Sequence, residues 1–285
     1  MTALAVARGV TRRFGRVLAV SDAHLVVGAG EVVGLVGANG AGKTTLIRVL
    51  QGLIPPTSGQ VELFGQPPSR AARRRVGYVP QGLGLYPDLT VAENLAFAAA
   101  AFGVPPPELD EELAEVRDRL VGELPLGLQR RVAFAAASGH RPELLILDEP
   151  TSGVGPLGRA RLWDDIRGAA ERGVGVLVTT HYMREAEQCD RLVVMSSGRV
   201  VAEGTLGEIL AGGSAVLVRA DRWQEAFRVL RDAGFRLGLV GRSLRVVEAG
   251  AERVRGALEA AGLRAEVEVV PATFEEAFLV LSGGG

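Results

Sequence analysis

The run Gly37-Ala38-Asn39-Gly40-Ala41-Gly42-Lys43-Thr44-Thr45 constrains this chain more than any other stretch. It follows a short apolar segment, EVVGLVG (Glu31 to Gly37), and leads into an amphipathic one, TLIRVLQGL. A buried strand, a glycine-rich turn and a helix in that order aim successive backbone N–H groups at one point, and the helix N-terminus adds partial positive charge there. This is the pattern of a phosphate-binding loop. Lys43 can reach the outer phosphates of a polyphosphate, and the Thr44 hydroxyl is placed to ligand Mg2+. Lys43 is also the only lysine among the 32 lysines and arginines of the 285-residue chain. A sequence that uses arginine everywhere else keeps a compact ammonium where a planar fork does not fit.

A second motif completes the first. Leu144-Leu145-Ile146-Leu147-Asp148-Glu149 reads as a buried strand delivering two carboxylates at its end. Alone, it is an acidic end to a strand. Beside a phosphate loop, Asp148 is placed to hold Mg2+ through water and Glu149 to polarise an attacking water. VGVLVTT (Val174 to Thr180) is a third buried strand, and RLVVMSSGRVVAEG (Arg191 to Gly204) reads as a hairpin around Ser197-Gly198. Apolar runs alternating with helical patterns predict an α/β domain with a mostly parallel sheet over residues 1–212. Ala-rich helical text over about 84–140 predicts a helical subdomain inserted in it. Ala211-Gly212-Gly213-Ser214 marks a linker, and residues 213–285 predict a small accessory α+β domain. Its helices are marked by Trp223/Ala226/Phe227/Leu230, Val254/Ala257/Leu258/Ala261 and Phe274/Ala277/Phe278/Leu281, the last opened by a Thr273/Glu276 capping box. It carries no titratable cluster and reads as a packing or docking module.

Composition excludes several classes. A net charge of −1 gives no global field for nucleic acid or a lipid surface. The one cysteine, Cys189, permits no internal disulfide. Arg8 interrupts the N-terminal apolar run before a signal-peptide core forms, and the stretch from Leu95 to Val104 is about half a membrane span, so a soluble chain is expected. Arg70 and Arg73-Arg74-Arg75 read as a solvated helix face, and His24 and His140 have no motif around them.

GANGAGKTT, YVPQ ending in Gln81, LILDEPTSG, and TTHYM with His181 occur in an order that resembles the ATP-binding subunit of an ABC transporter, from residue 5 to about 210. LPLGLQRRVAFA, the stretch from Leu177 to Thr205 and the terminal TFEEAFLVL are similar to the ABC-2 branch, which includes drug-exporter ATPases and often carries a small C-terminal domain. The resemblance implies a P-loop NTPase fold, and ATP bound by Phe14, Gly37 to Thr45 and Gln81. Phe14 would stack on adenine, Gln81 would sense Mg2+ and face a transmembrane partner, Glu149 would act as catalytic base, and His181 would contact the γ-phosphate. Lys43 joins Glu149 and His181 in the catalytic set, and Thr44, Gln81 and Asp148 form the metal set. It further implies a homodimer holding each ATP between one phosphate loop and the partner's Gly127 region. A separate permease would hold the subunit at the cytoplasmic face of the membrane; nucleic acid is not expected.

Three departures from the family pattern stand out. The signature Leu-Ser-Gly-Gly-Gln reads Leu124-Pro125-Leu126-Gly127-Leu128 without a gap, whereas a one-residue gap aligns Gly127 with its first Gly and Gln129 with its Gln. Ser-Gly-Leu-Asp becomes Ser152-Gly153-Val154-Gly155, and Leu109 to Glu123 is compressed. Two functions follow as alternatives: an ATP-hydrolysing exporter subunit, or a regulatory subunit that binds ATP and barely hydrolyses it. A soluble factor acting on ribosomes or DNA fits less well, for want of a second cassette or a long basic stripe.

Overall fold

The computed structural model describes residues 2–283. Its first unit, Met1–Thr205, opens with two long strands, β1 (Ala3–Phe14) and β2 (Val17–Gly28), paired antiparallel across the turn at Gly15-Arg16. β3 (Val32–Val36) and α1 (Lys43–Leu50) flank the glycine-rich turn, and β4 (Ser58–Leu63) returns to the free edge of β1. α2 (Arg70–Arg73) and β5 (Val76–Val79) lead into the helical segment of α3 (Val91–Phe102), α4 (Glu111–Glu115), a 3-10 turn at Val121–Glu123 and α5 (Leu126–Ser138). β6 (Leu144–Asp148), α6 (Pro156–Glu171), β7 (Gly175–Thr180), α7 (Met183–Ala186), β8 (Arg191–Ser196) and β9 (Arg199–Gly204) complete the unit.

Six of these strands form one sheet in the order β5-β6-β7-β3-β8-β9, parallel except for β9. Every residue of β3, β6 and β7 is buried, as expected for parallel strands covered on both faces. On one face, Leu46, Ile47 and Leu50 of α1 pack with Leu35 and Ile146 and with the inward residues of the β2-β1-β4 sheet. On the other, Phe134 of α5 and Trp163 and Ile166 of α6 cover Val79, Leu147 and Val178. Ser197 and Gly198 both take positive φ and close the β8–β9 hairpin as the sequence predicts.

Register decides where the chemistry goes. Val36 lies beside Thr180, Asp148 beside Thr179, and Val79 beside Leu147. The loops leaving β3, β5, β6 and β7 therefore emerge at one sheet edge, the usual ligand-binding edge of an α/β sheet.

The helical segment has its own core of Val91, Leu95, Leu113, Val121, Leu124 and Val132. The compressed stretch folds as the five-residue α4 and the 3-10 turn. Buried Arg131 holds α4 in place, donating to Asp110, to Glu112 Oε2 at 2.6 Å and to Asp165 Oδ2 of α6 at 2.9 Å. Burial opposes the charge of Arg131, yet hydrogen bonds and charge from Asp165 and Asp110 hold its pKa above the ordinary range. The arginine run lies at the surface, with Arg70, Arg74 and Arg75 exposed and Arg73 half-buried, and three of the four are tied down there. Arg73 reaches Gln51 O, Arg74 reaches Phe102 O at 2.7 Å, and Arg75 grips Glu143 with two bonds of 2.6 and 2.7 Å.

The second unit, Leu206–Gly285, begins with α8 (Leu206–Leu210). β10 (Ser214–Arg219), α9 (Trp223–Asp232), β11 (Arg236–Val240), β12 (Ser243–Val247), α10 (Ala251–Ala260) and β13 (Glu266–Pro271) then follow the β-α-β-β-α-β plan. The antiparallel sheet runs β11-β12-β10-β13, and Leu230 and Leu258 of its helices cover Val216, Val218 and Leu244. α11 (Phe274–Ser282) ends the unit, with the Thr273/Glu276 capping box in place. Glu276 also accepts from Arg245 Nη2 at 3.0 Å.

Candidate functional site

Gly42 caps α1 at φ 101°, a left-handed conformation, and a Cβ there would lie 2.4 Å from Ala19 O. Only glycine lets the turn close so tightly. No side chain caps the helix, so the first-turn N–H groups of Lys43, Thr44 and Thr45 have no intrahelical partner and point out of its end. Lys43 arches back over the turn, donating from Nζ to Gly37 O at 2.7 Å and Ala38 O at 3.2 Å. Burial lowers its pKa, and the nearby charges of Glu149 and Asp148 offset this in part.

At the end of β6, Asp148 accepts from Thr179 Oγ1 at 2.7 Å and from Thr44 Oγ1 at 3.0 Å. Thr179 Oγ1 accepts in turn from Glu149 N at 2.8 Å. This holds Glu149 at φ 50°, a conformation costing about 1–2 kcal/mol for a residue with a Cβ. Such strain gathers where a side chain must be aimed. The Glu149 carboxylate lies 3.8 Å from Lys43 Nζ, accepts from Gln81 Nε2 at 3.3 Å, and lies 3.5 Å from His181 Nδ1 without hydrogen-bond alignment.

The structure thus brings together Lys43, Thr44, Gln81, Asp148, Glu149 and His181. A cavity of about 350 Å³ opens here, walled by Val17 to Ala19, Asn39 to Thr45, Gln81 and Glu149. Gly37 and Ala38 form the start of the turn. Phe14 is not part of this wall; it is 45% exposed, with the Arg12 guanidinium 4.5 Å over its ring. Among the described residues no three His, Cys, Asp or Glu side chains form a metal cluster. The Thr44 hydroxyl and Asp148 carboxylate are hard oxygen donors of the kind Mg2+ takes when phosphates supply the remaining ligands. The residues therefore fit that ion.

Gly127 lies elsewhere, in a cleft between the start of α5 and the Gly153–Gly158 segment, its Cβ position 3.5 Å from Val154. Pro125 is the N-cap of α5 and supplies no side-chain cap. Its carbonyl accepts from the N–H groups of Leu128 and Gln129. The N–H groups of Leu126 and Gly127, in the first turn, have no intrahelical acceptor. The Gln129 side chain folds back to Leu124 O at 2.8 Å.

Several residues that shape the site carry no sequence motif of their own. Arg130 is buried and donates to Gln81 O at 3.1 Å and Ser152 O at 3.4 Å, tying the loops after β5 and β6 together. Burial lowers its pKa, partly offset by Glu149. Asn94 makes four hydrogen bonds to Tyr86, Leu89 and Thr90 and fixes the segment beyond Gln81.

A protein-family model described as ABC transporter matches residues 20–152. Nod factor export ATP-binding protein I of Burkholderia thailandensis is 40% identical over 291 residues, covering 96% of this chain and 95% of that protein. The probable multidrug ABC transporter ATP-binding protein YbhF of Escherichia coli is 39% identical over 217 residues, covering 72% of this chain and 38% of that protein. A solved structure titled as an ATP binding subunit of an ABC transporter superposes with a TM-score of 0.65 at 30% identity, covering 73% of this chain and 92% of that one.

Proposed function

Because this chain belongs to the ATP-binding subunits of ABC transporters, which hydrolyse ATP, we propose that it powers an ABC-2-type exporter through a separate transmembrane permease. The observation that carries the site reading is the convergence of Lys43, Thr44, Asp148, Gln81, Glu149 and His181 at one sheet edge. Export is supported by relatives named for Nod factor export and multidrug transport. A separate permease is supported by the names of the relatives, which describe ATP-binding proteins of export systems. The subunit then works at the cytoplasmic face, held there by its partner.

Lys43 and the first turn of α1 bind and orient the β- and γ-phosphates of ATP, Val17 to Ala19 flank the adenosine end, and the exposed Phe14, outside that wall, stacks on the adenine where it leaves the cavity. Mg2+, when bound, neutralises phosphate charge, with Thr44, Asp148 and Gln81 as its holders. Glu149 accepts the proton of the attacking water. His181, beside it, steadies the γ-phosphate. Two copies pack head to tail, and the free N–H groups at Leu126 and Gly127 of one protomer meet the phosphates held by the other.

Pro125 and Gly155 favour a second, slower variant of this reading. Pro125 brings neither hydroxyl nor N–H to the partner's phosphates, and Gly155, the N-cap of α6, has no carboxylate to cross the interface. ATP hydrolysis by the purified chain, alone and co-reconstituted with a permease, tests the proposal. Stimulated hydrolysis in the complex supports it. A chain without ATPase activity in either state overturns it.

A further inference from the structure

Glu185, on the short α7, is buried with only 2% of its side chain exposed. Its Oε1 accepts from Thr151 Oγ1 at 2.5 Å and its Oε2 from Thr180 Oγ1 at 2.6 Å. Thr151 stands two residues beyond Glu149, and Thr180 immediately precedes His181. Thr180 Oγ1 also accepts from Tyr182 N at 2.9 Å, so the same hydroxyl shapes the turn that presents the imidazole. Arg159 of α6 balances the charge, with Nε 3.3 Å from Glu185 Oε1 and its guanidinium 4.8 Å over the Tyr182 ring. Arg159 also reaches Val154 O at 3.4 Å.

Burying a carboxylate is costly unless hydrogen bonds and an opposite charge compensate it, and here each bond ends on a loop that carries a reacting group. We propose that Glu185 is a positioning residue that locks the loop bearing Glu149 and the loop bearing His181 in one register for ATP hydrolysis. This rests on the roles given above to Glu149 and His181. The side-chain bonds of Glu185 reach neither the phosphate loop nor the cavity wall, and Thr180 meets the loop only through its main-chain carbonyl, which accepts from Gly37 N at 3.3 Å, so loss of the side-chain lock acts on turnover far more than on ATP affinity. A misplacement of reacting groups by about 1 Å costs on the order of 10²-fold in rate.

The test is steady-state ATPase of the purified full chain carrying Glu185→Gln, His181→Ala, or both, with thermal melting of each. Glu185→Gln should lower kcat about tenfold or more and leave the KM for ATP within about twofold, because the amide keeps the shape but not the paired acceptors. In the His181→Ala background the same change should cost no more than about threefold, since both act on one arrangement. Thr151→Val should mimic the loss, and Thr151→Ser, which keeps the hydroxyl, should restore most of it. These two threonine variants decide the matter if Glu185→Gln does not fold. An impaired His181→Ala chain in which the Glu185 effect multiplies in full overturns the inference alone, as does an unchanged kcat in both Glu185→Gln and Thr151→Val. A His181→Ala chain with wild-type turnover overturns the site reading beneath it.

Discussion

Replacing Lys43 by methionine keeps the aliphatic stem and removes one charge. The ammonium lies 2.7 Å from Gly37 O and 3.8 Å from the Glu149 carboxylate, and only 5% of the residue is exposed. Two unit charges at that separation attract by about 4 kcal/mol at an effective dielectric of about 20. A phosphate oxygen at a similar distance gains less after desolvation, so about 2–3 kcal/mol of binding is at stake. That is roughly 30- to 150-fold in affinity. Equilibrium titration of Lys43→Met and wild type with a fluorescent ATP analogue reads it directly, and equal affinities would refute the argument. The same residue gives a pH signature. Burial lowers its folded pKa from 10.5, so between the lowered value and 10.5 the unfolded chain holds the proton more fully than the folded one. Stability therefore gains with rising pH across that window, and the burial penalty is fully present below it. Denaturant titrations should show this component in wild type and not in Lys43→Met.

Arg131→Met should destabilise the first unit by about 2–3 kcal/mol, toward the low end for a broken buried pair, because its partners are partly exposed and rehydrate. Urea unfolding measures it, and a change under about 0.5 kcal/mol would show that α4 is held by packing alone. Pro125→Ser combined with Gly155→Asp should raise the steady-state ATPase about tenfold, part of the 10²–10³ that one preorganised donor typically contributes. An unchanged rate would mean that the N–H groups of Leu126 and Gly127 suffice.

How much of this was legible in the sequence depends on the distance over which each feature is decided. The phosphate loop, α1, and the strands β3, β6 and β7 are local patterns, and each was readable from its own residues. The β8–β9 hairpin was equally readable, because two left-handed residues write it into Ser197-Gly198. The β2-β1-β4 sheet was not, since β4 pairs across the whole phosphate loop and no turn signal announces it. β11 escaped because Gly238 interrupts it and most of it is exposed. In the site, motif order predicted the residues that meet around Glu149. The supports have no such signal. Glu185 meets Thr151, a long way back in sequence, only through the register of β6 against β7. Arg130 reads as one more basic residue on a helix until the fold places it between Gln81 O and Ser152 O.

Hydrolysis as proposed requires Glu149 to take the proton of the attacking water in a site closed by a second copy of the chain. Glu149→Gln keeps the side chain's size and the acceptor for Gln81 while removing the base. Turnover and size-exclusion behaviour with Mg-ATP, measured on this variant beside wild type, separate loss of the base from loss of nucleotide binding. The expected result is ATP binding retained, turnover down by about 10²-fold or more, and a stable dimer that forms only with ATP. Wild-type turnover in Glu149→Gln, or a variant that stays monomeric with ATP bound, would contradict it.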